Sequence, residues 1–514
     1  MALLSDLIQT IQANILLLSI ATPLLLLVSR SIYRIFFHPL SHVPGPLLPS
    51  ISSVWLNYHA YIGDEASTVQ SLHQQYGPVV RIGPNDVDIA DGAALNAIYV
   101  DRGGFMKPKY YSNFDIDGHP SIFSSTDPSH RASRAKAVLP LFSSASLRAG
   151  SDKIYQCVDR LITRLREESA AGEPVNILNL TRSFATDAVT TYLFQYSYGG
   201  LQEKSLSAAG MVDTFVAGNR FFYLPNWVFF RLDSLIAKLF PDHEAEESLD
   251  KVDRFIKEVV SHTEEENGSQ LKGNYPSRLL DNAKVSAHET VAQCKDLMFA
   301  GTDSSGMNLA TIMFHLSRSP EILSQVEKEL NSNKYGSITD PIELQSLPYL
   351  RGIVRESLRV SLANPSRFGR VVPPGGWTFI PSGTSQYSRP SDTEVFLPPG
   401  TIVSCTPLEL HFNPRVFVSP YKFDPERWTE DKETEEMRRD FIPFGLGTRQ
   451  CIARNLATVE LFAAAAGMIR SGVLRNSKPF NERLMRDGRI PIVEWFNSKV
   501  IGERIDLIWG DENR

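Results

Sequence analysis

The chain has 514 residues, of which 42% are apolar, 21% charged and 10% aromatic; this ordinary globular composition excludes a disordered or collagen-like chain. Its 52 Lys and Arg residues against 58 Asp and Glu residues give a net charge of -6, so nothing indicates nucleic-acid binding. The four cysteines lie far apart and form no C-x-x-C pair, so neither a disulfide framework nor a structural zinc site is expected.

The N-terminal residues predict a membrane anchor. The stretch from Leu7 to Val28 is mostly apolar, and a helix of about 22 residues is about 33 Å long, roughly one hydrocarbon core. Arg30 and Arg34 follow it, which places the rest of the chain in the cytosol by the positive-inside rule. A cleaved secretory signal and an interfacial helix are the alternatives. We expect an anchor over 1–36, with its span at about 7–29, and a stiff Pro-rich hinge over 37–49.

Residues 50–514 are predicted to form one large domain. Segments 77–83 and 86–90 have the pattern of a strand hairpin. The sequence pattern predicts helices over most of 130–365 and again over 452–470. The segment 361–408 is rich in Val, Pro, Gly and Thr, which predicts strands and turns. No internal repeat or Pro/Gly linker divides this part of the chain. The expected fold class is mainly α with small β-sheets.

The longest predicted helix contains a polar interruption. It begins at a capping box, SAHE at 286–289, and continues to Arg318, where Ser-Pro follows. Its middle reads AGTDSS at 300–305. A helical Gly costs about 1 kcal/mol relative to Ala, and Asp and Ser compete for backbone hydrogen bonds. Such a contradiction inside a buried helix indicates a functional position.

A glycine-rich loop carries the strongest signal. The sequence reads FGLGTRQC at 444–451, and a helical pattern follows. A sulfur at a helix N-terminus faces unpaired N–H groups and the positive end of the helix dipole. Both lower the pKa of a thiol, so Cys451 is a candidate nucleophile or metal ligand. A buried core cysteine is the alternative interpretation.

The loop resembles the haem-binding signature F-x-x-G-x-R-x-C-x-A of cytochrome P-450 monooxygenases. Three more stretches resemble family motifs, in the family's order: AGTDSS at 300–305, ESLR at 356–359 and DPERW at 424–428. The resemblance covers nearly the whole chain. It implies the cytochrome P-450 fold in a single domain, and haem b as the cofactor.

The resemblance also assigns residues to the cofactor. Cys451 becomes the axial thiolate ligand of the iron, and Arg449 a partner of a haem propionate. His130 and Arg134 have the spacing of the family's W-x-x-x-R haem contact, with His in place of Trp; a surface helix pair is the alternative. The remaining expected haem contacts are Phe444, Gly445, Gly447, Ala300 and Gly301.

Two further groups of residues acquire roles from the resemblance. Asp303 and Ser304 are expected to deliver protons to oxygen on the distal side of the haem. Ser304 stands where most members have Thr, and its hydroxyl can fold back onto the carbonyl of Ala300. Glu356, Arg359 and Arg427 are expected to form a buried structural ion-pair triad; a solvent-exposed pair is the alternative.

The implied function is insertion of one oxygen atom from O₂ into an apolar small molecule. Electrons would come from NADPH through NADPH-cytochrome P-450 reductase, with cytochrome b5 as a further donor, and the location would be the endoplasmic reticulum membrane with a cytosolic catalytic domain. The sequence resembles filamentous-fungal members of secondary metabolism, which act on terpenoids and polyketides. The rivals are a haem-thiolate isomerase or dehydratase independent of O₂, and a non-enzymatic haem-binding membrane protein.

Four surface and pocket features complete the expectations. The substrate pocket is expected to draw on parts of 105–125, 221–230 and 361–368 and on the long helix near Ala300. The aromatic patch at 221–230 is also a candidate for contact with membrane lipid, with core or channel wall as alternatives. Arginines near the cysteine loop are candidates for docking the reductase. An unusually long tract, 376–396, predicts a flexible surface excursion.

Overall fold

The structure is a computed structural model that describes residues 18–19, 21–204, 206–240, 242–265, 273–281, 285–332, 334, 338–389, 393–480 and 489–510. The α-helices are α1 (residues 18–19 and 21–32), α2 (Leu47–Ile51), α3 (Val54–Ile62), α4 (Glu65–Tyr76), α5 (Pro128–Val138), α6 (Ser144–Ala149), α7 (Ser151–Ser169), α8 (Ile177–Val189), α9 (Ser207–Gly218), α10 (Asn226–Leu239), α11 (His243–Glu265), α12 (Tyr275–Leu280), α13 (Ala287–Arg318), α14 (Pro320–Leu330), α15 (Pro348–Val360), α16 (Pro407–His411), α17 (Glu435–Asp440) and α18 (Arg454–Ser471). The strands are β1 (Val79–Arg81), β2 (Asp86–Ile89), β3 (Val175–Asn176), β4 (Arg370–Val371), β5 (Trp377–Phe379), β6 (Val395–Leu397), β7 (Ile402–Ser404), β8 (Ser477–Pro479), β9 (Ile492–Val493), β10 (Lys499–Val500) and β11 (Asp506–Trp509).

The strands form small sheets at the edge of a helical body, as the fold class predicts. The largest has the order β1-β2-β7-β4. Strands β1 and β2 pair antiparallel, with Val80 opposite Asp88, which confirms the predicted hairpin. Strand β2 pairs in parallel with β7 from the distant 402–404 segment, with Val87 opposite Val403. Remote parts of the chain therefore meet in one sheet.

Helix α13 crosses the core and confirms the predicted long helix. The Ser286 hydroxyl caps it by accepting a hydrogen bond from the Glu289 N–H at 3.2 Å, and the helix runs 32 residues. It packs on α8 so closely that a Cβ on Gly306 would lie 2.9 Å from the Arg182 Cα. Gly306 therefore allows the two backbones to approach.

The structure describes only part of the predicted N-terminal anchor. Residues 1–17 and 20 of the predicted anchor lie outside the described residues. In the part that is described, no helix is both long and apolar enough to cross a membrane. The Pro-rich segment packs onto β1, because the Arg81 N–H donates to the Pro44 carbonyl at 2.8 Å and Leu40 is fully buried.

The tract 376–396 is attached to the body, contrary to the predicted flexible excursion. Its ends pair as the antiparallel strands β5 and β6. The Ser382 hydroxyl donates to Asp91 at 2.7 Å, and the Tyr387 hydroxyl donates to Glu409 at 2.6 Å. Its residues 390–392 lie outside the described part. The contact with Asp91 could not be predicted from local sequence, because Asp91 lies 291 residues from Ser382 along the chain.

Candidate active site

A deep cavity lies between α13 on one side and the cysteine loop with α18 on the other. Its wall combines parts of the chain that are far apart in sequence, drawn from 99–131, 296–308, 358–370, 442–461 and 496–497. The predicted contributions from 105–125, from Ala300 and from 361–368 are confirmed. The 221–230 segment does not line the wall; Phe222 instead packs behind it, against Tyr111 and Phe496.

The cysteine loop presents one sulfur to this cavity. The Cys451 N–H donates to the Phe444 carbonyl at 2.8 Å, which closes the loop. Cys451 is exposed and lines the cavity, whereas Cys157, Cys294 and Cys405 are buried in the core. Helix α18 begins at Arg454, so the predicted start at the cysteine is three residues too early. Among the cysteines, Cys451 alone has the position of a ligand.

The predicted low pKa of this thiol is wrong for the protein without a metal ion. Although the Cys451 side chain is accessible from the cavity, the surrounding protein desolvates the thiolate and raises the pKa of this thiol to about 11, and the Ala453 N–H only partly offsets the increase. The cost of desolvating the thiolate is larger than the gain from the helix terminus. A metal ion bound at the sulfur would favour the thiolate, because a coordinating thiol is deprotonated.

The two glycines of the loop have different functions. Gly447 has φ of +66°, and a Cβ there would lie 1.9 Å from the Tyr99 carbonyl oxygen. Gly445 has φ of +65°, but a Cβ there would meet nothing closer than 3.9 Å. Gly447 is thus required for both conformation and close approach, and Gly445 for conformation alone. Phe444 lines the cavity as predicted.

Four cationic side chains line the cavity: Lys107, Arg131, Arg370 and Arg449. None of them forms an ion pair with a carboxylate in the described part of the chain. The Arg449 Nη1 is buried without a hydrogen-bond partner. Burial, together with Arg131 and Arg370, lowers the pKa of Arg449 to about 10. The site thus fits a ligand that brings carboxylates of its own, as haem does with its propionates.

The structure does not place His130 and Arg134 at the cavity. Arg134 donates to both oxygens of Glu289, at 2.7 and 3.0 Å, and His130 lies 3.6 Å from the same carboxylate. Glu289 belongs to the first turn of α13 and draws both side chains toward it. Arg131 of α5 lines the cavity instead. Sequence spacing alone could not show whether Arg131 or Arg134 reaches the cavity, because this depends on the position of Glu289 in the folded chain.

The polar residues in the middle of α13 lie on two sides of the helix, one facing the cavity and one facing the core. Ala300, Gly301 and Ser304 line the cavity. The Ser304 hydroxyl donates to the Ala300 carbonyl at 2.8 Å, which confirms the predicted back-bond. Asp303 is buried on the other side, where the Arg182 Nη2 donates to it at 2.8 Å. The acid and the hydroxyl therefore do not meet in this conformation.

Beside Ser304 lie Asn308, which the sequence analysis did not single out, and Ser361, which belongs to the predicted pocket segment 361–368. The Asn308 amide donates to the Ser304 carbonyl at 2.7 Å, and the Ser361 hydroxyl donates to the Asn308 Oδ1 at 2.8 Å. Both side chains line the cavity. The i, i+4 spacing of Ser304 and Asn308 was the one available signal.

The structure brings Glu356, Arg359 and Arg427 together in the core. Arg359 donates to both Glu356 oxygens, at 2.7 and 2.9 Å, and Arg427 Nε donates at 3.0 Å. Two more donors were not predicted: the Trp428 indole at 2.9 Å and the Asp424 N–H at 3.0 Å. The arginines hold the pKa of Glu356 below its usual value despite burial. The alternative of an exposed pair is excluded.

The cavity presents a cysteine sulfur and, on the same wall, cationic side chains without carboxylate partners in the described part of the chain. A cysteine sulfur can ligate haem iron, and cationic side chains can pair with the haem propionates, so this arrangement is typical of haem-thiolate proteins. The comparisons with known proteins agree. Residues 44–471 match the family model of cytochrome P450. The chain therefore belongs to the cytochrome P450 family, whose members bind haem b through a cysteine thiolate.

Similar proteins come from fungi and are named as one enzyme class. The chain is 38% identical to cytochrome P450 monooxygenase mfmF of Annulohypoxylon moriforme, over 95% of this chain and 98% of that protein. It is 27% identical to cytochrome P450 monooxygenase aneF of Aspergillus aculeatus, over 90% and 94% of the two chains. It is 31% identical to cytochrome P450 monooxygenase hkm5 of Aspergillus hancockii, over 84% of each.

Proposed function

We propose that this cytochrome P450 inserts one oxygen atom from O₂ into an apolar small molecule, as a hydroxylation or an epoxidation, with electrons derived from NADPH. The observation that carries the proposal is the shared cavity: Cys451 and Ser304 line the same apolar space from different elements. The haem, when bound, supplies the metal centre that activates oxygen. The residues of the chain bind the haem, orient the substrate and move protons.

The proposed haem site uses Cys451 as the metal ligand and the cationic side chains as propionate partners. Arg449 is the first of these, because its buried Nη1 has no partner. Arg131 and Arg370 complete the set, and Arg131 takes the place expected for Arg134. A guanidinium pairs with a carboxylate through two parallel hydrogen bonds. Gly445, Phe444, Ala300 and Gly301 line the cavity where a flat ring would lie, and Gly447 holds the loop against the Tyr99 backbone.

Ser304 and Asp303 are the proposed proton-delivery residues, and they act after a rearrangement. The Ser304 hydroxyl must leave the Ala300 carbonyl to donate into the cavity. Serine lacks the methyl group that restrains threonine, so this rotation is less restricted. Asp303 must also turn from Arg182. Asn308, which holds the Ser304 carbonyl, keeps the helix wall in place meanwhile.

The proposed substrate is an apolar fungal secondary metabolite, such as a terpenoid or a polyketide. Aromatic side chains, among them Tyr111, Phe123, Phe368 and Phe496, make up much of the wall beyond Ser304. The relatives named above are also fungal proteins. Aromatic and aliphatic walls favour ligands by burial of apolar area.

We also propose association with the endoplasmic reticulum membrane, with the catalytic domain in the cytosol and residues 1–36 as the anchor. Helix α10 exposes Trp227 at 67%, and the adjacent Phe240 is 74% exposed. Near the N-terminus, Phe37 at 71% and Leu48 at 69% are exposed as well. Apolar side chains this exposed are typical of a contact surface. Vesicle flotation of the full chain, compared with a Trp227→Ser/Phe240→Ser variant, tests the contribution of α10.

NADPH-cytochrome P-450 reductase is the proposed electron donor, with cytochrome b5 as a second one. Arg438 is about half exposed and lies 3.9 Å from Glu433, and Arg454 is exposed, with its guanidinium donating to the Gln450 side chain of the preceding loop at 2.9 Å. Both are available to an acidic partner surface. Arg439 is less available, because it pairs with Asp440 at 2.6 Å.

The test of this function is turnover under ¹⁸O₂ with reductase, NADPH and a set of terpenoids and polyketides. The proposal predicts one labelled oxygen atom in the product and no product without NADPH. Turnover that continues without NADPH or O₂ would establish the isomerase or dehydratase instead. A six-coordinate haem that shows no spectral response to any compound would support a non-enzymatic haem protein.

A further inference from the structure

Helix α13 carries an acidic residue that the mechanism above does not use. Asp296 lines the cavity and is only partly buried. It lies eight residues before Ser304, which corresponds to about 12 Å along the helix axis. The oxygen-activating position and Asp296 are thus two points on the same wall, separated by a little more than two helical turns.

The side chains around Asp296 do not neutralise it. Ile122, Phe123 and Leu297 line the same part of the cavity. Burial raises the pKa of Asp296 to about 7, and the Ser121 hydroxyl and Lys107 only partly offset it. No ion pair joins Lys107 to Asp296 in the described part of the chain; the Lys107 Nζ donates to the Phe123 carbonyl at 2.6 Å and lies 4.0 Å from the centre of the Phe123 ring. A carboxyl group in such a setting lacks a strong partner.

The net charge of the cavity determines which substrate group can bind to the Asp296 carboxyl. In the described part of the chain, three arginines line the cavity, Arg131, Arg370 and Arg449, together with Lys107 and two carboxyls, Asp296 and Glu460. Burial lowers the pKa of Lys107 well below its usual value, so only the arginines are permanent cations. Burial raises the pKa of Glu460 to about 8, so it is mainly neutral. Two haem propionates would therefore leave the cavity with a small positive excess. This positive excess repels the ammonium group of a substrate amine. A neutral hydroxyl group can donate a hydrogen bond to Asp296 without that repulsion.

We propose that Asp296 is a specificity-determining residue that binds a hydroxyl group of the substrate. The substrate class is then an apolar molecule that carries a hydroxyl group at one end and is oxidised toward the other, at a distance set by the two helical turns. This inference rests on the proposed function, because it names a substrate for the same cavity. It makes Asp296 a binding residue, and the reacting atoms lie elsewhere.

The experiment is equilibrium binding to the haem-loaded full chain, followed by the change in the haem absorption spectrum. The probes are 4-phenylphenol, biphenyl and 4-phenylbenzylamine. We expect 4-phenylphenol to bind about tenfold more tightly than biphenyl, as a hydrogen bond to a charged group allows. Asp296→Ala should remove this ratio, and Asp296→Asn, which keeps an acceptor oxygen, should keep part of it.

The matched control is Asp115→Asn. Asp115 is a nearby acid that accepts a hydrogen bond from Ser124 at 2.6 Å, and its side chain does not contribute to the cavity wall. This variant should keep the full ratio. Because the ratio compares two ligands within one variant, a partial loss of folded protein does not change it.

Three outcomes would overturn the inference. These are equal binding of 4-phenylphenol and biphenyl by the wild-type chain, an unchanged ratio in Asp296→Ala, and tightest binding of 4-phenylbenzylamine without the red-shifted Soret band that marks ligation of its neutral nitrogen to the iron. Each is distinct from failure of the proposed function, which would appear as absence of thiolate-bound haem before any ligand is added.

Discussion

The buried triad makes the most quantitative prediction for stability. Glu356 is fully buried and accepts five hydrogen bonds, two from Arg359 and one each from Arg427, Trp428 and the Asp424 N–H. Glu356→Gln keeps the shape of the side chain but removes its charge, so both guanidinium groups lose their counter-ion. Because one amide oxygen cannot accept all five bonds, the loss also includes unpaired donors.

The expected cost is about 3–5 kcal/mol of unfolding free energy, the range for removing one partner of a buried ion pair. Urea unfolding, followed by tryptophan fluorescence at neutral pH, measures it. The matched control is Glu426→Gln in the same segment, because Glu426 pairs with Lys432 at 3.0 Å where both side chains are about half exposed. That substitution should leave the urea midpoint unchanged.

Equal urea midpoints for the two variants would contradict a stabilising role of the triad. They would mean that the desolvation cost of the three charged groups cancels their attraction, so the triad contributes no net stability. A large loss in both variants would also contradict it, since the effect would then belong to the segment and not to burial of the charge.

Three further predictions concern the loop, the helix and the pH response. Gly447→Ala should lower haem content strongly. Gly445→Ala, at a residue with a similar positive φ but no contact closer than 3.9 Å, should cost only about 1–2 kcal/mol of stability. Equal haem loss in both variants would contradict the importance of the contact at Gly447. Ser304→Ala should divert NADPH from product to peroxide, with product yield lower by about tenfold or more, and Ser304→Thr should retain the yield; unchanged yield in Ser304→Ala would remove the hydroxyl from proton delivery. Burial lowers the pKa of His315 and His411 to about 3, so the unfolded chain binds more protons below about pH 6.5 and stability should fall by ~2 kcal/mol per histidine from pH 7 to 5; His315→Phe should reduce this loss by about half, and an unchanged pH slope would contradict it.

The parts of the site that sequence could predict are contiguous motifs. The cysteine loop, the polar stretch of α13 and the Glu356–Arg359 pair each have a fixed local spacing, and helix and turn geometry bring their members together. The capped start of α13 belongs to the same kind, because Ser286 and Glu289 are three residues apart. For these elements, propensity and short-range hydrogen bonding agree with the final structure.

The parts that sequence could not predict depend on distant partners or on burial. Arg134 turns to Glu289, 155 residues away, and Asp303 turns to Arg182, 121 residues away. The pKa of Cys451 rises because the fold removes water from the sulfur, which outweighs the local effect of the helix terminus. The same long-range packing makes Asp296 and Asn308 part of the cavity.

The most direct test of the account is the absorption spectrum of the dithionite-reduced protein with carbon monoxide, for the wild-type chain, Cys451→Ser and Cys405→Ser. If Cys451 ligates the iron, a red-shifted Soret band is expected for the wild-type chain and for Cys405→Ser, whose cysteine is buried away from the cavity. The band should be absent in Cys451→Ser. A shifted band in Cys451→Ser, or haem binding without the band in the wild-type chain, would contradict the assignment of Cys451 as the thiolate ligand and the monooxygenase function built on it.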